Sequence, residues 1–364
     1  MLTGMVAVLL ACVYIQGAFF FLLQFGESRG FEPPSMPARL ALSAVGVLVY
    51  VITHEAGHRV AGAALGWRCI RCGFGPFEFY RERDVWKSQR VKMLLGAFVR
   101  QVPPSFTGFR RAKTVTLLSG PLSSLVFGLL FGAVALSTAS PSVYAIFGTL
   151  ALWSLLGVLE LIPREKNGIG SDGYRLWQVI RGGAPIDDMI RESMAEASNF
   201  TMLRHRDWPH ALVVRLAATE DPYGIYLAYL HTLDAGDPEA ASGYMRSLIA
   251  SLPEEKPNPH FACEAAYWLA TYAGNPKASR TWLERAGQDV DPDLRFRAQA
   301  ALALAEGQPD RAEALANESL ARIHTLAPCG SGEFEIDRLN HLLSLVGQPI
   351  LAAAGFQPAL VPMR

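Results

Sequence analysis

Residues 48–66 read LVYVITHEAGHRVAGAALG, and the reading of this stretch decides the fold. As a helix it places His54 and His58 one turn apart on one face, with Glu55 beside the first. Within 40–66 the acidic, basic and imidazole residues are His54, Glu55, His58 and Arg59, and nearly all the rest is apolar or small. A run of that length is sufficient to cross the hydrocarbon core, which takes about 20 residues as a helix. An ionisable side chain near the bilayer centre costs roughly 2.5 to 3.5 kcal/mol even on the lenient insertion scale, and this helix carries three within five positions. One zinc ion per chain accounts for them together. Two neutral imidazoles would hold it, and Glu55 would take a proton from the attacking water and pass it to the leaving amine. Ala56, Gly57, Ala61, Gly62 and Ala63 are small enough to let another helix or a substrate backbone approach closely.

The surroundings agree with a membrane setting. The 364-residue chain is 51% hydrophobic, its mean hydropathy is +0.19, and its formal net charge is zero. Residues 1–25 and 114–159 carry no charge at all. Four segments are long and apolar enough to span: 2–25, 40–65, 114–137 and 143–162. The first lacks the basic flank and small-residue cleavage site of a signal peptide and is expected to be retained. The connector 66–113 carries eleven Lys and Arg against Glu78, Glu82 and Asp84, which makes it cytoplasmic by the positive-inside rule. Four spans then put both termini in the cytoplasm, of a bacterial inner (plasma) membrane protein. Within the connector, CIRCGFGPFEFYR has the short alternating runs and Gly-Pro punctuation of a hairpin, so a small membrane-associated β-sheet is expected, with Val91–Val102 ambiguous. Five scattered cysteines argue against a disulfide framework, and Cys69 and Cys72, half a zinc knuckle at most, read as two strand residues. No phosphate-binding loop and no nucleophilic triad is legible, and nothing points to nucleic acid.

A hydrolytic zinc usually takes three protein ligands. The other six histidines, His205 to His341, fall in the polar half, so the apolar half must supply a carboxylate or a cysteine. Asp172 and Glu160 are the candidates. Asp172 stands in GIGSDGYRLW, where Ser171 suits a helix cap and Gly173 allows tight packing. Glu160 ends the fourth span in LELIP.

From about 185 the pattern is soluble and helical. LDAGDPEAASGYMRSLI, TYAGNPKASRTWLERAG and LAEGQPDRAEALANESL share a Gly-x-Pro turn, at Gly236-Asp237-Pro238, Gly274-Asn275-Pro276 and Gly307-Gln308-Pro309, spaced by 38 and 33 residues. Gly closing one helix and Pro opening the next makes each a helical hairpin. The unit resembles tetratricopeptide-type hairpins, which stack into solenoids and bind protein partners. One more helix is expected around 333–354. The fold class is therefore mainly α: a membrane-embedded domain, 1–182, and a cytoplasmic helical-hairpin domain, 183–364.

HEAGH in the second span, SGPLSS in the third and LIP followed by SDG after the fourth resemble the site-2 protease family of intramembrane zinc metalloproteases, over about residues 40–182. The resemblance implies hydrolysis of a transmembrane or membrane-proximal peptide, with His54, His58 and Asp172 as zinc ligands and Glu55 as the catalytic glutamate. It implies substrate positioning near Gly120 and Pro121, where Ser124 replaces an Asn common in the family. Glu160 stands near another common Asn, as an extra acid. These two departures leave room for a second reading, a catalytically silent scaffold recruiting partners through the hairpins. A metal transporter using the same ligands would want more polar residues than 114–159 provides.

Overall fold

The computed structural model of the chain describes residues 20–346 apart from 21, 83–84, 92–96, 167–168, 254, 289 and 327. The expected first span lies outside the described residues except for its end, which is helical over 22–28. Three described helices are long and apolar enough to cross a membrane. The first, α1, is Met36–Ala64 and carries the HEAGH motif. Leu40, Val45, Leu48, Ile52 and Val60 along it are exposed, a surface suited to lipid rather than water. It stops at Gly66, whose φ of 75° is open to glycine, and the Trp67 N–H closes the end on the Gly62 carbonyl at 2.7 Å.

The connector then forms a four-stranded sheet in the order β3-β2-β1-β4, from β1 (Arg68–Phe74), β2 (Phe77–Glu82), β3 (Val85–Arg90) and β4 (Ala97–Val102). The expected hairpin is β1–β2, antiparallel, with Phe74 opposite Phe77 across Gly75-Pro76. The ambiguous stretch ends as β4, whose Gln101 Nε2 donates to the His58 carbonyl at 2.9 Å.

Helix α2 runs Phe109–Ser137 and α3 runs Pro141–Leu156, continued by a 3-10 turn, Gly157–Leu161. The expected third span began at 114. The helix starts earlier, taking in Arg110, Arg111 and Lys113, because hydropathy marks the apolar stretch and not the hydrogen-bonded one. Small residues let the three helices close up: a Cβ on Gly57 would stand 2.5 Å from the Ser119 carbonyl oxygen, and one on Gly46 2.4 Å from the Trp153 ring. A short antiparallel pair, β5 (Glu165–Lys166) and β6 (Ile169–Gly170), leads into α4 (Asp172–Arg181).

The chain divides into two compact units, with Ile186 the last residue of the first. Gly182 and Gly183, with φ of 74° and 72°, separate α4 from α5 (Ala184–Phe200). From Asp187 on, the second unit is helical: α6 (His210–Ala217), α7 (Pro222–Asp234), α8 (Pro238–Ser251), α9 (Pro259–Thr271), α10 (Pro276–Ala286), α11 (Pro292–Ala305), α12 (Pro309–His324) and α13 (Gly330–Leu345). The three repeated turns fall between α7 and α8, α9 and α10, and α11 and α12. Gly236, Gly274 and Gly307 have positive φ, and Asp237 and Asn275 cap the following helix by accepting from the N–H groups of Ala240 and Ala278. The members of each pair pack together, and α9 packs on α11. At their centre the buried Glu264 accepts from Arg297 at 2.5 Å and Arg338 at 2.6 Å, with the Tyr267 ring beside both guanidinium groups. The helix expected at 333–354 is α13, and the segment after 346 lies outside the described residues.

Candidate metal centre

His54 and His58 point to one place because a helical turn separates them, and their rings meet edge to face with centroids 5.0 Å apart. Each is held at the nitrogen away from that place. His54 Nδ1 lies 3.0 Å from the Ser124 hydroxyl, and His58 Nδ1 lies 2.6 Å from the Thr116 carbonyl oxygen. A carbonyl only accepts, so His58 Nδ1 carries the proton and donates it, leaving the Nε2 lone pair directed inward. Pro121 lies inside α2 and supplies no N–H to the helix ladder, where the carbonyl of Leu117, next to Thr116, would have accepted it.

Asp172 arrives from α4. Ser171 caps that helix, accepting from the Tyr174 N–H at 3.2 Å and donating to the Ile162 carbonyl at 2.8 Å. Gly173 brings the same turn down on the Leu161 backbone, where a Cβ would lie 2.0 Å from the carbonyl oxygen. Fixed on both sides, Asp172 presents Oδ2 at 3.0 Å from both Nε2 atoms.

The His58 Nε2 lone pair and the carboxylate oxygen it faces repel unless positive charge sits between them. Among the described residues His54, His58 and Asp172 are the group whose atoms could share a metal ion. A tetrahedral zinc with 2.0–2.1 Å bonds separates its donor atoms by about 3.3 Å, close to the spacing found here. Gly120 opens the space: a Cβ there would stand 2.3 Å from His58 Nε2 and 2.8 Å from His54 Nε2. The donor set and the cradle both fit zinc.

Of the other residues singled out in the sequence, Glu55 is half-buried and within electrostatic reach of all three members of the group. Ser124 is fully buried and occupied by His54. Pro121 is buried beside Gly120 in α2. Glu160 lies outside the group and pairs with Arg164 at 2.9 Å, four residues on. Cys69 and Cys72 are residues of β1, without a disulfide. The sequence reading did not find Thr116, which acts through its main chain, or Tyr50, whose ring stands edge-on to His54 with centroids 5.7 Å apart.

Compared with known families, the chain matches the sequence profile of peptidase family M50 over residues 42–361. The chain belongs to peptidase family M50. It is thus a zinc metalloprotease, and the M50 match takes in the second, helical unit as well as the metal centre. No curated protein and no solved structure matches it.

Proposed function

We propose that this M50 peptidase hydrolyses peptide bonds of a transmembrane or membrane-proximal substrate, with His54, His58 and Asp172 holding zinc and Glu55 as general base. The observation that carries the reading is the convergence of two helix-borne imidazoles and one carboxylate inside helices whose outer faces are apolar. Zinc, when bound, supplies Lewis-acid polarisation of the carbonyl and makes water a nucleophile at neutral pH. Glu55 accepts the proton of the attacking water and returns it to the departing nitrogen. Ser124 and the Thr116 carbonyl orient the two imidazoles, and Gly120 and Pro121 line the approach of the substrate backbone. Glu160, paired with Arg164, is assigned no direct part.

An extended segment adding to the edge strand β4 would run beside α1, because Gln101 of that strand reaches the His58 carbonyl. The membrane domain is assigned to 1–182, with residues 2–25 as a fourth span and the sheet on the membrane surface. The hairpins of 183–364 are assigned to the cytoplasm as a tetratricopeptide-like array binding substrate or a regulator. The basic connector supports that orientation, in a bacterial inner (plasma) membrane. Replacing Glu55 with Gln is the test: cleavage of a native membrane substrate should fall by about 10²- to 10⁴-fold, and the uncut substrate should accumulate with the variant. Undiminished cleavage would remove Glu55 from the mechanism.

A further inference from the structure

Tyr50 precedes His54 by four residues on α1, so its side chain lies on the motif's face one turn before the first imidazole. Its ring stands at 70° to the His54 ring and passes over Gly157, where a Cβ would lie 2.2 Å from Cε2 and 2.8 Å from Cδ2. The absence of a side chain at Gly157 is therefore what admits the ring. The same glycine borders the Ser124 hydroxyl, at 2.8 Å from the place of its Cβ, so Tyr50 and Ser124 both pack on Gly157 beside His54. The phenol is within electrostatic reach of Glu160, Glu55 and Asp172. Tyr50 is only half-buried, and its hydroxyl makes no hydrogen bond among the described residues.

Peptide hydrolysis needs a donor at the place where charge builds. Water adds to the carbonyl carbon and gives its proton to Glu55, while the carbonyl electron pair moves onto oxygen. When the C–N bond breaks, that pair returns to form the carboxyl product, and the proton on Glu55 goes to the amine nitrogen. A preorganised O–H aimed at the transient oxyanion is worth more than one in water. Three nearby donors are engaged: Ser124 with His54, His58 Nδ1 with Thr116, and Arg164 with Glu160.

We propose that Tyr50 donates a hydrogen bond to the scissile carbonyl oxygen as it becomes negative, keeping its own proton throughout. The proposal rests on the proteolytic reading above. A residue that merely packs against Gly157 would not notice the loss of its hydroxyl, so Tyr50→Phe separates the two roles.

The experiment uses the full-length, zinc-loaded protein in detergent micelles, with fluorescein-labelled casein as a generic unfolded substrate and Glu55→Gln alongside. Tyr50→Phe should lower kcat by roughly 10²- to 10³-fold, with KM and zinc content as in the wild type. A phosphinic peptide, whose tetrahedral phosphorus carries two oxygens, should bind the wild type better than the matching amide, and that preference should shrink in the variant. Unchanged kcat together with an unchanged phosphinate preference overturns the assignment, as does a loss confined to KM or to zinc. If the wild type cuts no better than Glu55→Gln, the proteolytic reading fails, and phosphinate preference still decides Tyr50. A wild type that prefers neither compound overturns both.

Discussion

Replacing Gly120 with Ala would put a methyl carbon 2.3 Å from His58 Nε2 and 2.8 Å from His54 Nε2. Uncharged heavy atoms rest at about 3.5 Å or more, so the His58 ring would have to move by about 1 Å. It cannot tilt freely, because Nδ1 is tied to the Thr116 carbonyl at 2.6 Å. A shift of that size is half the length of a 2.0–2.1 Å zinc–nitrogen bond, which removes one ligand of three. Losing only an outer-shell partner of a ligand costs 10- to 100-fold in metal affinity, so the loss here should reach at least 100-fold. Helix propensity acts in the opposite direction, since Ala is favoured over Gly inside a helix by roughly 0.5 to 1 kcal/mol. The variant should therefore keep its helical circular dichroism and melt no lower than the metal-free wild type, yet purify without zinc. Metal analysis beside a thermal melt reads both quantities. A Gly120→Ala protein retaining zinc at wild-type affinity would refute the placement of the metal between these residues.

Two predictions concern the second unit. His205 is buried and its pKa is pulled down from 6.5 to about 4, chiefly by desolvation, against the opposing charge of Asp234. The unfolded chain therefore binds an extra proton between those values. Stability is full above pH 6.5 and falls by about 3 kcal/mol as the pH drops to 4, with no further loss from this group below that. Urea denaturation across this range should show that slope in the wild type and a shallower one in His205→Gln; identical slopes would contradict it. Glu264→Gln would leave Arg297 and Arg338 buried without their shared carboxylate, lowering stability by about 3 to 5 kcal/mol by chemical denaturation.

Much of the candidate metal centre was legible because its chemistry is compressed in sequence. His54, Glu55 and His58 lie within one turn of one helix, and helical geometry alone aligns the imidazoles. Asp172 was legible as one of two candidate carboxylates, with Ser171 and Gly173 having the local chemistry of a pinned helix start, and the family resemblance ranked it above Glu160. The Gly75-Pro76 turn announced its hairpin, and the repeated Gly-x-Pro turns announced theirs. What could not be read depends on contacts between distant segments. Ser124 looks like a group free to meet substrate until helix packing brings it to His54, 70 residues away. The Thr116 carbonyl leaves no trace in residue identity. Tyr50 reads as one more apolar-face residue of a span, and only the absence of a side chain at Gly157 gives its ring a place beside the centre. Glu264, Arg297 and Arg338 carry no common motif, and Arg338 joins Glu264 across 74 residues.

The measurement that bears most directly on the metal centre is X-ray absorption at the zinc edge of the purified protein, with and without Asp172→Ala. The first shell should consist of nitrogen and oxygen at about 2.0–2.1 Å, with the outer scattering of two imidazole rings, and the variant should lose an oxygen or the metal itself. Sulfur at about 2.3 Å, which would place the ion at Cys69 and Cys72, or a spectrum indifferent to Asp172, would contradict the account.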